Sequence, residues 1–473
     1  MIAERSSTER LARAATIVLV AVVIWLLPRP AGVEIRAWHL LAIFVATIVG
    51  LILQPLPMGA MVLIGVTATI YSGALTTAEA LSGYANATVW LIVAAFLFAR
   101  AFSKTGLGRR IAYWFIRAFG RRTLGLGYAM ALSDLVLAPA IPSGTARSGG
   151  VFFPIVRGLA GTYNSEPGPT ASRIGRFLML NSYHAHVTTC AMFMTSMAGN
   201  PLIVELTKKT VGVEITWAGW ARAALLPGLI ALFVMPVVLY WLTKPEITET
   251  PEAEALARNE LAKMGRMRRE EWVVLSAFLL ALALWITGSV TKIDASAVAL
   301  LGVSIMVGAG CIGWDDVLAE RAGWDALIWF GGLMSMASML GQLGLLKWFS
   351  GFVAGYVQGW PWLPALGVLL LVYMYSQYAF AGLTAHVSAM FVPFLTVAVA
   401  AGAPPLLAAL TLGFLSSLCV CLTHYGGGPA PVYFGAGYVD LKSWWKTGLL
   451  VSVIEMIIWL GIGPFYWKAL GLF

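Results

Sequence analysis

Three observations predict an all-α polytopic membrane protein. Of 473 residues, 59% are hydrophobic, only 11% are charged, and apolar runs recur at lengths suited to membrane crossing. Soluble domains carry roughly 25% charged residues, so lipid is the expected main solvent. Runs such as 14–27, 38–53, 272–286 and 449–462 are apolar over most of the ~20 residues a spanning helix needs.

Taken in order, the apolar segments predict about eleven transmembrane helices, near 14–28, 37–53, 58–75, 88–103, 174–197, 220–242, 271–289, 293–312, 324–341, 405–423 and 445–468. Arg5, Arg10 and Arg13 precede the first, as in a signal peptide. Pro28-Arg29-Pro30 follows it in place of a small-residue cleavage site, so the span is expected to be retained. Two further regions, 124–160 and 360–400, are apolar but interrupted at Pro139, Pro142, Ser143 and Gly144, and at Gly382 and Thr384. They predict two re-entrant hairpins with arms too short to cross alone, tolerated where protein or a water-filled cavity covers their tips.

Charge sets the expected orientation. With the N-terminus cytoplasmic, the cluster Lys104, Arg109, Arg110, Arg117, Arg121 and Arg122 and the linker cations Lys244, Lys263, Arg266, Arg268 and Arg269 fall inside, as the positive-inside rule requires. Segment 342–362 carries only Lys347 and falls outside. The first hairpin then enters from the cytoplasm and the second from the opposite face. The net charge of +9 is explained by this topology without a nucleic-acid partner. Cys190, Cys311, Cys419 and Cys421 sit in apolar runs without C-x-x-C spacing and are expected to pack in the core.

The two halves resemble each other. Thr145, Phe152 and Pro154 are matched by Thr384, Phe391 and Pro393 at a constant offset (384 − 145 = 239), which Trp90 and Trp329 share. Thr195, Gly199 and Pro201 are matched by Thr423, Gly427 and Pro429 at a shorter one (423 − 195 = 228). Each half thus holds a hairpin followed by a helix broken at Gly and Pro. Five crossings per repeat force the second copy to be inverted, the plan of an inverted-repeat transporter. The expected organisation is an N-terminal segment and first span (1–36), a first repeat (37–242), a cytoplasmic linker (243–270) and a second repeat (271–473).

Broken helices near the midplane aim half-helix N-termini, with their positive partial charge, into the gap, where an anion is the natural occupant. Ser143, Thr145 and Thr384 on the hairpins, and Thr195, Ser196, Thr423 and Tyr425 at the breaks, are candidate hydrogen-bond partners for its oxygens. Arg147 needs an anion inside the membrane. Asp134 on the same hairpin is one candidate, and a substrate carboxylate gripped by two parallel hydrogen bonds is the other. His386 stands at the equivalent place in the second half as a further donor. His184, His186 and His424 raise an intramembrane metalloenzyme as a remote alternative, but no H-E-x-x-H or carboxylate companion accompanies them. Gly199 and Gly426-Gly427-Gly428 lack the lysine of a phosphate-binding loop, so ATP coupling is not expected.

The strings LAPAIPSGTARSGGVFFPIV (137–156), AMFMTSMAGNPL (191–202), TAHVSAM (384–390) and THYGGGPAPVYFGAGYVDL (423–441) resemble the divalent anion:sodium symporter family, in particular its citrate/succinate and tartrate/succinate antiporters and plastid 2-oxoglutarate/malate translocators. The resemblance covers nearly the whole chain. It implies transport of C4 and C5 dicarboxylates (succinate, malate, tartrate, 2-oxoglutarate class), a homodimer in the bacterial inner membrane, and an elevator mechanism in which a mobile domain carries substrate past a scaffold. By position it implies a binding role for Ser143, Gly144, Thr145, Gly382, Leu383 and Thr384 at the tips, and for Ser196, Met197, His424 and Tyr425 at the breaks.

Two departures matter. Gly144 stands where the family usually has asparagine, and Leu383 replaces a polar residue in the other tip. Both remove an amide oxygen, and sodium is a hard cation that wants oxygen ligands. Sodium-independent exchange is therefore expected, with a sodium-coupled symporter as the alternative and no cofactor.

Overall fold

The computed structural model describes residues 7–357, 359–380 and 382–472; Arg5 lies outside them. The described residues form a helical bundle with no strand longer than the isolated bridge between Arg122 and Glu249. In chain order the main helices of the first half are α1 (Ser7–Leu26), α2 (Ile35–Leu53), α3 (Met58–Tyr71), α4 (Ala87–Thr105), α5 (Leu107–Phe119), α6 (Thr123–Leu137), α7 (Phe153–Thr162), α8 (Gly175–Met192), α9 (Gly199–Val211) and α10 (Trp217–Thr243). Those of the second half are α11 (Pro251–Met264), α12 (Arg269–Ile286), α13 (Ala295–Gly308), α14 (Arg321–Gln342), α15 (Leu345–Val357), α16 (Trp362–Ser376), α17 (Leu383–Ala400), α18 (Pro405–Leu418), α19 (Ala430–Gly435), α20 (Leu441–Met456) and α21 (Gly463–Ala469).

Each of the eleven expected spans is built on one of these helices. Local chemistry starts several of them: Asn86, Thr216, Asp294 and Asp440 each accept a first-turn N–H with a side-chain oxygen, satisfying a donor that the helix itself leaves free. Among the described residues seven helices are individually long and apolar enough to cross a membrane. Three expected spans, α1, α3 and α13, are shorter apolar helices. The helix α8 carries a polar run from Asn181 to Thr189, and those residues are nevertheless inside: every residue of α8 except Arg176 is buried.

Both hairpins have the expected helix–break–helix form. In the first, α6 ends ahead of Pro139 and Pro142, whose missing N–H groups cannot continue the ladder. The chain resumes as a π-helical turn, Thr145–Phe152, leading into α7. The second differs from expectation in arm length. Its arms, Trp362–Ala379 and Leu383–Ala400, are 18 residues each and apolar enough to span, about 27 Å at 1.5 Å per residue. The helices that follow each hairpin are broken in the same manner: α8 passes through a 3₁₀ turn, Met194–Ser196, into α9, and α18 passes through a 3₁₀ turn, Cys419–Leu422, towards α19.

The 243–270 linker is a helical strap. Within it α11 lies along α5, Thr250 Oγ1 donates to Gly120 O at 2.8 Å, and Arg121 pairs with Glu254 at 2.5 Å. Arg110 is buried and pairs with Glu271 at 2.6 Å. Part of the basic cluster read from sequence as topology signal thus also fastens the strap. Hydrogen bonding from Arg121 holds the Glu254 carboxyl below its ordinary value. In the short helix Trp314–Leu318, hydrogen bonding from Lys104 holds Asp316 down to about 2.

Candidate functional site

The two hairpin tips and the two helix breaks meet in one place. Tip 1 reaches both breaks: Thr195 Oγ1 donates to Pro139 O at 2.8 Å, and the tip packs on the second break at Gly428 and Pro429. Tip 2 does the same from the other half. Gln377 Nε2 donates to Gly426 O at 3.3 Å, Tyr425 OH donates to Tyr378 O at 2.9 Å, and Leu383 lies against Gly199 of the first break. The first-turn N–H groups of α9 and α17 have no partner within their own helices, and they open beside these contacts.

Two close approaches shape tip 1. A Cβ on Gly144 would lie 2.8 Å from His186 Nε2, closer than real contacts allow. The absence of a side chain at 144 is therefore matched by the imidazole beneath it, a partner that the sequence did not reveal. A Cβ on Gly428 would overlap Thr145 Oγ1, so the glycine run at 426–428 is where the second break comes closest to the first tip.

In this structure Arg147 takes protein partners. Its side chain is fully buried, and Nε donates to Asp134 Oδ1 at 3.0 Å. Nη1 faces three backbone carbonyls, Ser196 O at 2.8 Å, Ala138 O at 3.5 Å and Ile141 O. Nη2 lies 3.2 Å from His186 Nδ1, 3.4 Å from Thr189 Oγ1 and 3.3 Å from Cys190 Sγ. Every guanidinium donor has a protein acceptor, so Arg147 ties the arms of hairpin 1 to α8 and has none left for a substrate carboxylate. The Asp134 alternative is the one realised.

His386 is held in a similar way. It is buried, and its Nε2 lies 3.1 Å from Tyr373 O and 2.8 Å from Ser376 Oγ on the opposite arm, so it clasps hairpin 2 as Arg147 clasps hairpin 1. Thr195 also accepts from Trp217 Nε1 at 3.0 Å, and Ser196 Oγ donates within its own turn to Cys190 O and Phe193 O. Both hydroxyls are spent on shaping the first break. His424 Nδ1 accepts from Trp445 Nε1 at 3.3 Å and its ring packs on Phe434, placing it in an aromatic cluster.

The remaining candidates are more available. Thr145 is exposed; Ser143, Gly144, Met197, Gly382, Thr384 and Tyr425 are half-buried; Leu383 is buried at the tip. Thr423 Oγ1 is buried without a hydrogen-bond partner. Sequence reasoning missed Asn200, whose Nδ2 donates to Cys190 O and Phe193 O while Oδ1 accepts from Ser417. Its place between Gly199 and Pro201 was the available signal. Among the described residues no group of three or more His, Cys, Asp or Glu side chains is arranged to hold a metal ion.

A bundle of apolar helices in which two hairpin tips meet two broken helices, with half-helix N-termini opening into the gap, defines a polytopic membrane transporter. The chain belongs to the divalent anion:sodium symporter family: the model described as "Sodium:sulfate symporter transmembrane region" matches residues 8–473. It is 47% identical to the putative malate transporter YflS of Bacillus subtilis, over 96% of this chain and 95% of that one. It is also 47% identical to the chloroplastic dicarboxylate transporter 1 of Spinacia oleracea, over 96% of this chain and 80% of that one. The inner membrane protein YbhI of Escherichia coli is 38% identical over 96% of each chain. Among solved structures, the fold resembles that of the YdaH transporter of Alcanivorax borkumensis, with TM-score 0.56 and 12% identity over 85% of this chain and 89% of that one. It also resembles MtrF of Neisseria gonorrhoeae, with TM-score 0.57 and 10% identity over 96% and 94%. The family is one of transporters, which answers the metalloenzyme alternative.

Proposed function

We propose that this chain transports C4 and C5 dicarboxylates by sodium-independent exchange across the bacterial inner membrane, with its N-terminus in the cytoplasm. Relatives that match over nearly the whole chain carry the names malate transporter and dicarboxylate transporter. The single observation that carries the reading is the meeting of both tips with both breaks. It brings Thr145 against Gly428 and Leu383 against Gly199, and on this reading Ser143, Thr145, Thr384 and the unpartnered Thr423 offer their hydroxyls to a dianion at the half-helix N-termini.

Sodium independence rests on the clasps. Arg147 sits among a carboxylate oxygen of Asp134 and the carbonyls of Ala138, Ile141 and Ser196, an oxygen set of the kind a hard cation takes. A fixed guanidinium fills that cage, and no amide at position 144 is present to build another. Pairing with Asp134 offsets the arginine's charge, so the positive potential favouring a loaded carrier comes from the helix ends.

The elevator motion and inverted repeats follow the same reading. An apolar cavity of about 510 Å³ lies among α2, α14, α15, α9 and α17, and on this reading its apolar walls are where one group slides past the other. The homodimer remains part of the proposal. In proteoliposomes, labelled succinate, malate or 2-oxoglutarate is expected to enter only when unlabelled diacid is trapped inside, equally in sodium and choline salts. Uptake into empty vesicles driven by a sodium gradient would establish the symporter instead.

A further inference from the structure

Away from the tips, α20 carries a carboxyl group that the transport chemistry does not use. Glu455 is fully buried, and among the described residues it has no salt-bridge partner. Two neutral groups meet it. Thr188 Oγ1 is 2.6 Å from Oε1, and Trp459 Nε1 donates to Oε2 at 2.9 Å. The Thr188 hydroxyl also lies 3.2 Å from His184 O.

That arrangement balances for a protonated acid. In that form Glu455 Oε1–H would donate to Thr188 Oγ1, the threonine hydroxyl would donate onward to His184 O, and the indole N–H satisfies Oε2. An ionised carboxylate would hold a full charge at membrane depth with no cation beside it, a state that costs several kcal/mol. The groups that face it carry no fixed charge. They are Thr188 and, one turn earlier, His184 on α8; Trp459 on the turn after α20; and Cys421 on the 3₁₀ turn, whose Sγ lies 3.6 Å from Gly448 O on α20. Tyr375 from α16 reaches Ser452, one turn before Glu455, at 3.3 Å. The ion pair of Asp134 and Arg147 meets α8 instead through His186, Thr189 and Cys190.

Glu455 is also joined to the site. Thr188 and Thr189 are adjacent on α8, one bonded to Glu455 and the other to Asp134. The same helix therefore couples the unpaired acid to the Arg147 clasp behind tip 1.

We propose that Glu455 is an intramembrane proton-binding site, neutral through the transport step, and that diacid exchange proceeds at a rate set by its protonation. The reaction is the reversible loss of one proton from Oε1. Ionisation adds an unpaired negative charge to the unit that carries the dianion, opposing both loading and passage through a low-dielectric barrier. This goes beyond the dicarboxylate reading and uses it only for the assay substrate.

Two measurements test it. The first is 2-oxoglutarate exchange from about pH 6 to 9, a range in which buried glutamates titrate and both substrate carboxylates stay ionised. Exchange is expected to fall about tenfold per pH unit above the titration point, as the protonated fraction does, and Glu455→Gln is expected to hold the acid-side rate throughout. A flat wild-type profile, or an unchanged slope in Glu455→Gln, overturns the proposal. The second needs no substrate: infrared difference spectra of the purified wild-type protein between the two pH limits are expected to show loss of a buried carboxylic-acid C=O band. No such band overturns the site even if Glu455→Gln fails to fold, and leaves the transport reading standing.

Discussion

Arg147 and Asp134, thirteen residues apart on opposite arms of hairpin 1, face each other at 3.0 Å with both side chains closed off from solvent. The pair holds the tip at a fixed place relative to α8, because the same guanidinium also reaches Ser196 O at the first helix break. Removing one partner strands the other inside the membrane.

Arg147→Ala is therefore expected to destabilise the protein by about 3–5 kcal/mol, the usual cost of a stranded buried charge. The melting temperature of detergent-solubilised protein measures this. The double variant Asp134→Asn/Arg147→Gln is expected to recover much of the loss. Wild-type melting with abolished transport in Arg147→Ala would return the arginine to the substrate site.

Gly144→Ala is expected to lower exchange, because the new Cβ meets His186 Nε2 at 2.8 Å. His186→Ala removes that obstacle while weakening the Arg147 clasp. The double variant should lose less than the sum of the two singles, with a coupling of roughly 0.5–3 kcal/mol, as for residues in contact. Strict additivity of the exchange losses would show that His186 does not limit position 144.

Thr145→Ala and Thr384→Ala each remove a tip hydroxyl without opening a charged cage. Each is expected to raise the KM for diacid on the order of tenfold, the worth of one hydrogen bond to a charged group, about 1.5 kcal/mol, while melting stays near wild type. A parallel drop in melting temperature would make the hydroxyls structural.

The linker strap should loosen in acid. Arg121 holds the Glu254 carboxyl low and Lys104 holds Asp316 at about 2, so both depressed groups stabilise the folded arrangement above their ordinary carboxylate values. That contribution is lost as pH falls through the folded ones. The protection of amides in 243–270 and 313–320 against hydrogen exchange, after correction for the intrinsic pH dependence of the exchange chemistry, is expected to fall below about pH 4 and to stay constant between about pH 6 and 8. Corrected protection that does not change in acid would count against the two carboxylates as fasteners.

The class of protein and the places where its helices break, near Pro139 to Gly144, Met194 to Ser196, Gly382 and Cys419 to Gly428, were legible in the sequence. These depend on local backbone chemistry: apolar length decides what lipid accepts, and proline and glycine decide where a helix stops. The hydrogen-bond partners of the candidate site were not legible there. Thr145, Thr384 and Thr423 could be chosen from residue type and symmetry, but Arg147, His386, Thr195 and Ser196 turn inward to other protein groups. A donor's partner depends on which helix face meets it, and α8 brings His186, Thr189 and Cys190 to Arg147 from some forty residues away. The sequence by itself determined a membrane transporter with two tips and two breaks. Only the tertiary structure decided that its buried arginine pairs with Asp134, that His186 lies beneath Gly144, and that Glu455 has no cation. In a low-dielectric interior each charge takes the partner that packing brings within reach, and packing is set by all the helices together.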